Sequence, residues 1–97
     1  MSDVIYLISQ VRWQDAKGIW QTQEVARQVY TQVNSVTRSE WYAAGKLGLN
    51  AAFRFDIRLA DYGGQESLEY KGERYGVYRT YNRYDHVELY AERKVGL

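Results

Sequence analysis

The sequence predicts a mainly β protein: a small closed or nearly closed barrel, or a compact sandwich, of about six antiparallel strands with one short helix or loop insertion. Three observations indicate this fold. Apolar and aromatic residues alternate with polar ones in several short segments, and glycine, asparagine and aspartate separate those segments. The chain contains no proline, so no residue type in it forbids continuous sheet pairing. The chain of 97 residues, 1–97, is expected to form a single domain.

The N-terminal third is predicted to form two strands joined by a turn. Val4–Trp13 alternates along its length, and Asp15–Gly18 ends in a glycine that tolerates positive φ. Ile19–Val36 is a second extended region, although its valine spacing would also suit a helical stripe. β-Branched residues favour a strand over Gln28–Val36, with a bulge near Ala26-Arg27.

A short helix is predicted to follow these strands. Thr37 and Glu40 have the spacing of a capping box, in which each side chain accepts a hydrogen bond from the other residue's backbone amide. The helix is expected over Trp41–Lys46, ended by Gly45 or Gly48. The glycine-rich residues after it are expected to form a loop.

The second half of the chain is predicted to supply the remaining strands. It contains the most regular alternation, and six of the ten tyrosines, whose rings can cover apolar surface, lie in Ser67–Arg93. The predicted strands are Ala51–Ala60, Leu68–Tyr70, Arg74–Tyr81 and His86–Glu92, and the predicted turns are Tyr62–Gln65, Lys71-Gly72 and Asn82–Asp85.

Composition and motifs favour a protein without enzymatic activity. The net charge of +1 provides no global attraction for nucleic acid or membrane, and the absence of cysteine excludes disulfides and fits intracellular synthesis. The first residues match neither a signal peptide nor a membrane span. The single histidine, His86, has no nucleophile near it in sequence, and the C-terminal glutamates read as a solvated sheet face. We therefore predict no catalytic residue, no metal site and no cofactor.

Tyrosine and arginine alternate in the C-terminal sheet in a way that suits a protein interface. The residues predicted to contact a partner are Arg79, Tyr81, Arg83 and Tyr84. The same interleaving occurs where small barrels bind single-stranded nucleic acid, so an oligonucleotide-binding module is the alternative function. Glutamates and aspartates among the tyrosines count against it, because carboxylates repel phosphates. A glycan- or peptide-binding β domain is a third option.

The stretch Ser35–Gly96, with the residues just before it, resembles the head-closure proteins of tailed bacteriophages, also called head-tail joining or stopper proteins. Three pieces carry the likeness: V-x-S-V-x-R-S-E-W-Y-x-A-G at Val33–Gly45, the alternating strand that ends at Asp61–Gly64, and E-Y-x-G-x-R-Y-x-V-Y-R-T-Y at Glu69–Tyr81 with E-L-Y-x-E after it.

The resemblance implies a small β-barrel that assembles as a homo-oligomeric ring below the portal and adaptor proteins and seals the DNA channel. Its partners would be those proteins, the tail proteins and the packaged double-stranded DNA, with no membrane. Its location would be the head–tail interface of the virion, after synthesis in the host bacterial cytoplasm. The closing segment would be Arg38–Asn50, with candidate residues Arg38, Ser39, Glu40, Trp41, Tyr42, Gly45, Lys46 and Gly48. In a purely structural interpretation, Trp41 instead packs its indole on the barrel.

Overall fold

The computed structural model describes residues 2–94. Its elements are β1 (Asp3–Gln14), β2 (Trp20–Ser35), α1 (Arg38–Lys46), β3 (Ala51–Arg58), a 3₁₀ turn (Leu59–Asp61), β4 (Ser67–Tyr70), β5 (Glu73–Arg83) and β6 (His86–Arg93). The strands close into a barrel in the order β1-β2-β3-β6-β5-β4, and every neighbouring pair is antiparallel. The barrel prediction is confirmed, and the sandwich alternative is wrong. Among residues 2–94, no helix has the length and apolar character needed to cross a membrane.

The core lies inside the barrel, where the apolar faces of the strands meet. Phe55 is fully buried and packs edge-on against the rings of Tyr70 and Tyr75, with ring centroids 5.3 and 5.9 Å away. Two of the C-terminal tyrosines therefore serve as core residues. The other core residues are Ile5, Leu7, Val29, Ile57, Leu68, Val87, Leu89 and Ala91. Together with Phe55 and Tyr75, these residues come from all six strands, so the inward faces of the strands form one continuous core.

The predicted bulge near Ala26-Arg27 is wrong, and β2 begins earlier than the strand predicted over Gln28–Val36. β2 pairs with β1 from Trp20 onwards, and the register runs without interruption through Ala26 and Arg27. The irregularities lie instead between Ala51 and Phe53 and between Val77 and Arg79. Bulges bend and twist a strand, and both irregularities lie in strands of the closed barrel.

The helix begins at Arg38, three residues before its predicted start. Thr37 is the N-cap: its Oγ1 accepts a hydrogen bond from the Glu40 amide at 3.1 Å. The other half of the predicted capping box is absent, because the Glu40 side chain is bound elsewhere. Gly45 lies within the helix, and Gly48, at φ +77°, is the glycine that ends it.

Two strand ends also differ from the prediction. β3 ends at Arg58, because Leu59 begins the 3₁₀ turn and is 38% exposed rather than part of the core face. β5 continues to Arg83, so the predicted four-residue turn is a two-residue one at Tyr84-Asp85. The alternation pattern does not reveal that Asn82, a residue type common in turns, pairs with Val87 within the sheet.

The β1–β2 hairpin extends well beyond the barrel. β4 pairs with β1 only at Tyr6–Ile8, and β3 pairs with β2 only from Gln32 onwards. Within the described residues 2–94, residues 9–14 and 20–25 therefore pair only with each other, and we call this ribbon the arm. The radius of gyration is 15.0 Å and the longest axis 52 Å, whereas a compact domain of this length has a radius of gyration of about 12–13 Å. The arm makes the molecule elongated.

Candidate functional site

The predicted closing segment forms α1 and rests on the outside of the barrel. All of its candidate residues lie on the helix except Gly48, which follows it. Ala44 is the one buried residue of the helix. Trp41 and Tyr42 are 52% and 58% exposed and pack edge-on against each other, with ring centroids 5.3 Å apart. About half of the Trp41 surface is covered, so the interpretation in which its indole packs on the barrel stays a prediction.

Glu40 joins the helix to the barrel wall. The Tyr78 hydroxyl donates to Glu40 Oε1 at 2.7 Å, and Arg79 Nη2 donates to Glu40 Oε2 at 2.8 Å. The Glu40 side chain is 16% exposed, whereas that of Arg79 is 48% exposed. We call Glu40, Tyr78 and Arg79 the latch. It brings a residue of the predicted closing segment onto one of the predicted partner interface.

The latch continues into a row of polar contacts along the outer wall. The Arg79 guanidinium lies over the Tyr90 ring, 4.0 Å from its centroid. The Tyr90 hydroxyl donates to Glu88 at 2.9 Å, and Arg83 donates to the same carboxylate at 3.1 Å. Glu88 is only 6% exposed. Its two donors compensate for the loss of water around this carboxylate.

A recess of about 400 Å³ separates the helix from the barrel wall beside the latch. Thr37, Glu40, Arg54, Arg79 and Tyr90 are among the residues that line it. The lining is about equally polar and apolar. The latch and the buried Ala44 are thus two attachments that hold the helix on the barrel.

The predicted partner interface is only partly available to a partner. Arg79 and Arg83 are engaged in ion pairs within the chain, although both side chains remain about half exposed or more. Tyr81 is 55% exposed and Tyr84 fully exposed. Tyr84 also has a φ of +47°, a left-handed conformation that costs a residue with a Cβ about 1 kcal/mol or more. Tyr81 and Tyr84 are the two interface candidates with free aromatic surface.

The six C-terminal tyrosines do not form one continuous aromatic face. Tyr70 and Tyr75 contribute to the core, and Tyr78 and Tyr90 donate to carboxylates. The wall between β3 and β6 carries Asp56 directly opposite Glu88. Each of these carboxylates pairs with an arginine, Asp56 with Arg54 and Glu88 with Arg83.

His86, for which no catalytic role is predicted, contacts its sequence neighbour Asp85. His86 Nδ1 lies 2.6 Å from Asp85 Oδ1, and both side chains are substantially exposed, 44% and 85%. Over residues 2–94, no three His, Asp or Glu side chains are grouped so as to hold a metal ion.

Sequence reasoning missed Tyr78, Tyr90 and Arg54 as parts of the site. Tyr78 lies 38 residues from Glu40, and nothing local links the two. The only signal available was that Glu40, three residues after the cap, could serve either its own helix or a distant donor. The local pattern favoured a bond from Glu40 to its own helix, whereas in the structure Glu40 accepts from Tyr78 and Arg79 of the barrel.

Burial raises the pKa of Tyr78 well above its ordinary value, and the hydrogen bond to Glu40 raises this pKa further. The folded state then holds the tyrosine proton more tightly than the unfolded chain does. The free energy of unfolding is therefore expected to be insensitive to Tyr78 below about pH 10 and to fall as the pH rises above that value.

Urea unfolding at a series of pH values between about 8 and 11 would measure this effect. Tyr78→Phe should flatten the decline, whereas Tyr84→Phe, at a fully exposed position, should leave it unchanged. Burial also raises the pKa values of Tyr62 and Tyr90, so part of the decline will persist. Equal slopes in the two variants would contradict the assignment.

No protein-family model matches the chain, and no curated protein matches it significantly.

Proposed function

We propose that the chain is a structural connector of a tailed phage or prophage, which assembles as a ring below the portal and adaptor and seals the DNA channel. It also provides the platform to which the tail attaches, and it needs no enzymatic activity, metal or cofactor for this work. The virion head–tail interface is its proposed location. The support is the resemblance of Ser35–Gly96 to head-closure proteins, together with the closed barrel and the short helix at Arg38–Lys46.

The latch is the observation that carries the closing mechanism. One carboxylate and one buried alanine are among the attachments of the helix to the wall, beside a recess. A partner that competes for Arg79 would remove one of the two donors to Glu40 and make release of the segment easier. The exposed Trp41 and Tyr42 rings, and glycines at positions 45 and 48, suit a segment that changes position and meets other subunits.

Charge on the segment is compatible with contact to packaged DNA. Among residues 2–94, Arg38 and Lys46 form no ion pair, while the carboxylate of Glu40 is paired with Arg79. In the ring, each copy would present two basic side chains at the axis, where phosphate groups would attract them. Many weak contacts repeated around a ring would retain DNA without base-specific recognition.

Trp41→Ala is expected to leave the fold intact and to let DNA leak from filled heads. The indole of Trp41 is half exposed in the isolated chain, and it would help to close the channel only where copies of the chain meet. Deletion of residues 43–48 should have the same effect. The measurement is the DNA retained by heads of the parent phage assembled with each variant. Tyr30→Ala is the matched control, because it removes a similarly exposed ring, 64% exposed, outside the segment.

Full DNA retention with Trp41→Ala and with the deletion would refute the closing role. Salt-dependent binding of single-stranded DNA by the isolated chain would favour the oligonucleotide-binding alternative. The carboxylates among the C-terminal tyrosines predict weak or no binding. The two candidate functions are therefore separated by a DNA titration at low salt.

A further inference from the structure

The two strands of the arm both have an open edge. On the side away from β2, residues 9–14 of β1 have no strand partner within residues 2–94. On the side away from β1, residues 20–25 of β2 likewise have none in that range. An open edge exposes unpaired backbone donors and acceptors, and a lone two-stranded ribbon is at best marginally stable in water. Each edge of the arm can therefore pair with a further strand.

The arm also exposes large apolar side chains on a face without charge. Val11, Trp13 and Val25 are 45%, 46% and 43% exposed. The residues across the ribbon on the same face are Ser9, Gln21 and Gln23. The opposite face has contacts to the barrel, through the Glu24–Arg74 ion pair at 2.9 Å. The exposed apolar face has no such cover in the described chain.

We propose that the arm pairs with the arm of a second copy of this chain, the β2 edge of one copy joining the β1 edge of the next. Both open edges run the length of the same hairpin. When neighbouring copies stand side by side in the same orientation, the right edge of one arm meets the left edge of the other. β2 and β1 run in opposite directions, so the new pair is antiparallel and keeps like faces together.

This contact repeats from copy to copy and closes into a ring. It is head-to-tail, because the two edges of the interface are different surfaces. The joined arms would form a second, larger antiparallel barrel with one hairpin from each copy. The inference names the contact between copies within the proposed connector. The pairing of the arms stands on the open edges, whereas closure into a ring and sealing of the channel rest on the proposed function.

Charge complementarity selects the second copy as the occupant. The arm contains one basic residue, Arg12 on β1, and one acidic residue, Glu24 on β2. Within a copy they do not pair with each other: Arg12 lies over the Trp20 ring at 4.9 Å, and Glu24 pairs with Arg74 at 2.9 Å. The Glu24–Arg74 pair is exposed, so the carboxylate can accept a second guanidinium from a neighbouring copy. An anionic or cationic partner would match only one of the two edges, whereas another arm matches both.

A stagger of two residues aligns these groups. If Glu24 of one copy lies opposite Arg12 of the next, Val25 lies opposite Val11 on the uncharged face. The register then combines an ion pair on one face with an apolar pair on the other, the kinds of cross-strand pair that stabilise sheets. Closed barrels require a stagger between successive strands, so the offset also suits ring closure.

Disulfide trapping tests the register, and the chain has no cysteine of its own. Val11→Cys and Val25→Cys proteins, purified separately and mixed under mild oxidation, are expected to form a mixed disulfide dimer several-fold faster than either forms a dimer with itself. Gln21→Cys mixed with Val11→Cys is the matched control, since Gln21 lies on the same face four residues away. Arg12→Glu in the Val11→Cys protein should slow the trapping, and Glu24→Arg in its Val25→Cys partner should restore it.

Predominant self-dimers of Val25→Cys would overturn the proposal in favour of a two-fold contact between β2 edges. Trapping no faster than in the Gln21→Cys control, at the highest soluble concentration, would overturn it altogether. Neither result depends on DNA. If trapping fails but Trp41→Ala still causes DNA to leak, the arm interface alone is rejected. If trapping succeeds but Trp41→Ala leaves DNA retention unchanged, the closing role alone is rejected.

Discussion

Replacing Phe55 with alanine is expected to lower the free energy of unfolding by about 3–5 kcal/mol, the largest change expected from a single substitution in this chain. Phe55 is fully buried and lies against Phe53, Tyr70 and Tyr75, with ring centroids 5.3–5.9 Å away. Those rings come from three strands, and their side chains cannot collapse into the space without disturbing the wall. The loss combines lost burial with an unfilled cavity.

Chemical denaturation followed by tyrosine and tryptophan fluorescence would measure the loss. Domains of this size have total stabilities of about 5–15 kcal/mol, so the variant is expected to be marginal at room temperature. Phe55→Leu keeps most of the volume and should lose markedly less than Phe55→Ala. A loss below about 1 kcal/mol for the alanine variant would show that the ring cluster is not the centre of the core.

Substituting Glu40 with glutamine is expected to loosen the helix while leaving the barrel folded. The change keeps the shape of the side chain but removes the charge that receives hydrogen bonds from Tyr78 and Arg79. Hydrogen bonds to charged groups are worth more than neutral ones, and the half-exposed Arg79 reduces that value through solvent screening. Opening of the helix should become easier by about 1–2 kcal/mol, or roughly 5- to 30-fold.

Hydrogen exchange at the backbone amides of the helix is the direct measurement. The amides of Trp41–Lys46 should exchange faster in Glu40→Gln, and those of β3 and β6 should not. Glu73→Gln is the matched control: it breaks an ion pair with Arg93 in which both side chains are about half exposed. Equal protection of the helix in wild type and Glu40→Gln would show that the latch does not hold it.

Local patterns were sufficient wherever a residue's role depends on its immediate neighbours. Strand alternation places side chains on two faces, so the core face of β3, with Phe55 and Ile57, was predictable from period alone. Thr37 was recognisable as a helix cap because its bond reaches only to Glu40. Lys71-Gly72 was predictable as a turn and does adopt positive φ at both residues, 50° and 79°.

Patterns failed where closure of the barrel decides the outcome. The Glu40 side chain turns away from its own cap because β5 brings Tyr78 and Arg79 beneath it. The register shifts at Ala51–Phe53 and at Val77–Arg79 within the barrel wall. No local sequence pattern marks these two positions. Leu59 leaves the core because the sheet ends one residue earlier, although it shares the parity of Phe55.

The sequence by itself determined the strands, the helix cap, the tight turn and the residues available for a core. These depend on backbone preference and on a two-residue repeat, both of which act over a few residues. Only the tertiary structure decided the latch and the arm. A latch needs donors from a strand far along the chain, and an arm exists because β4 is too short and β3 ends too early to cover the ends of β1 and β2. Strand pairing is a long-range choice, and the edges it leaves open are visible only once the barrel has closed.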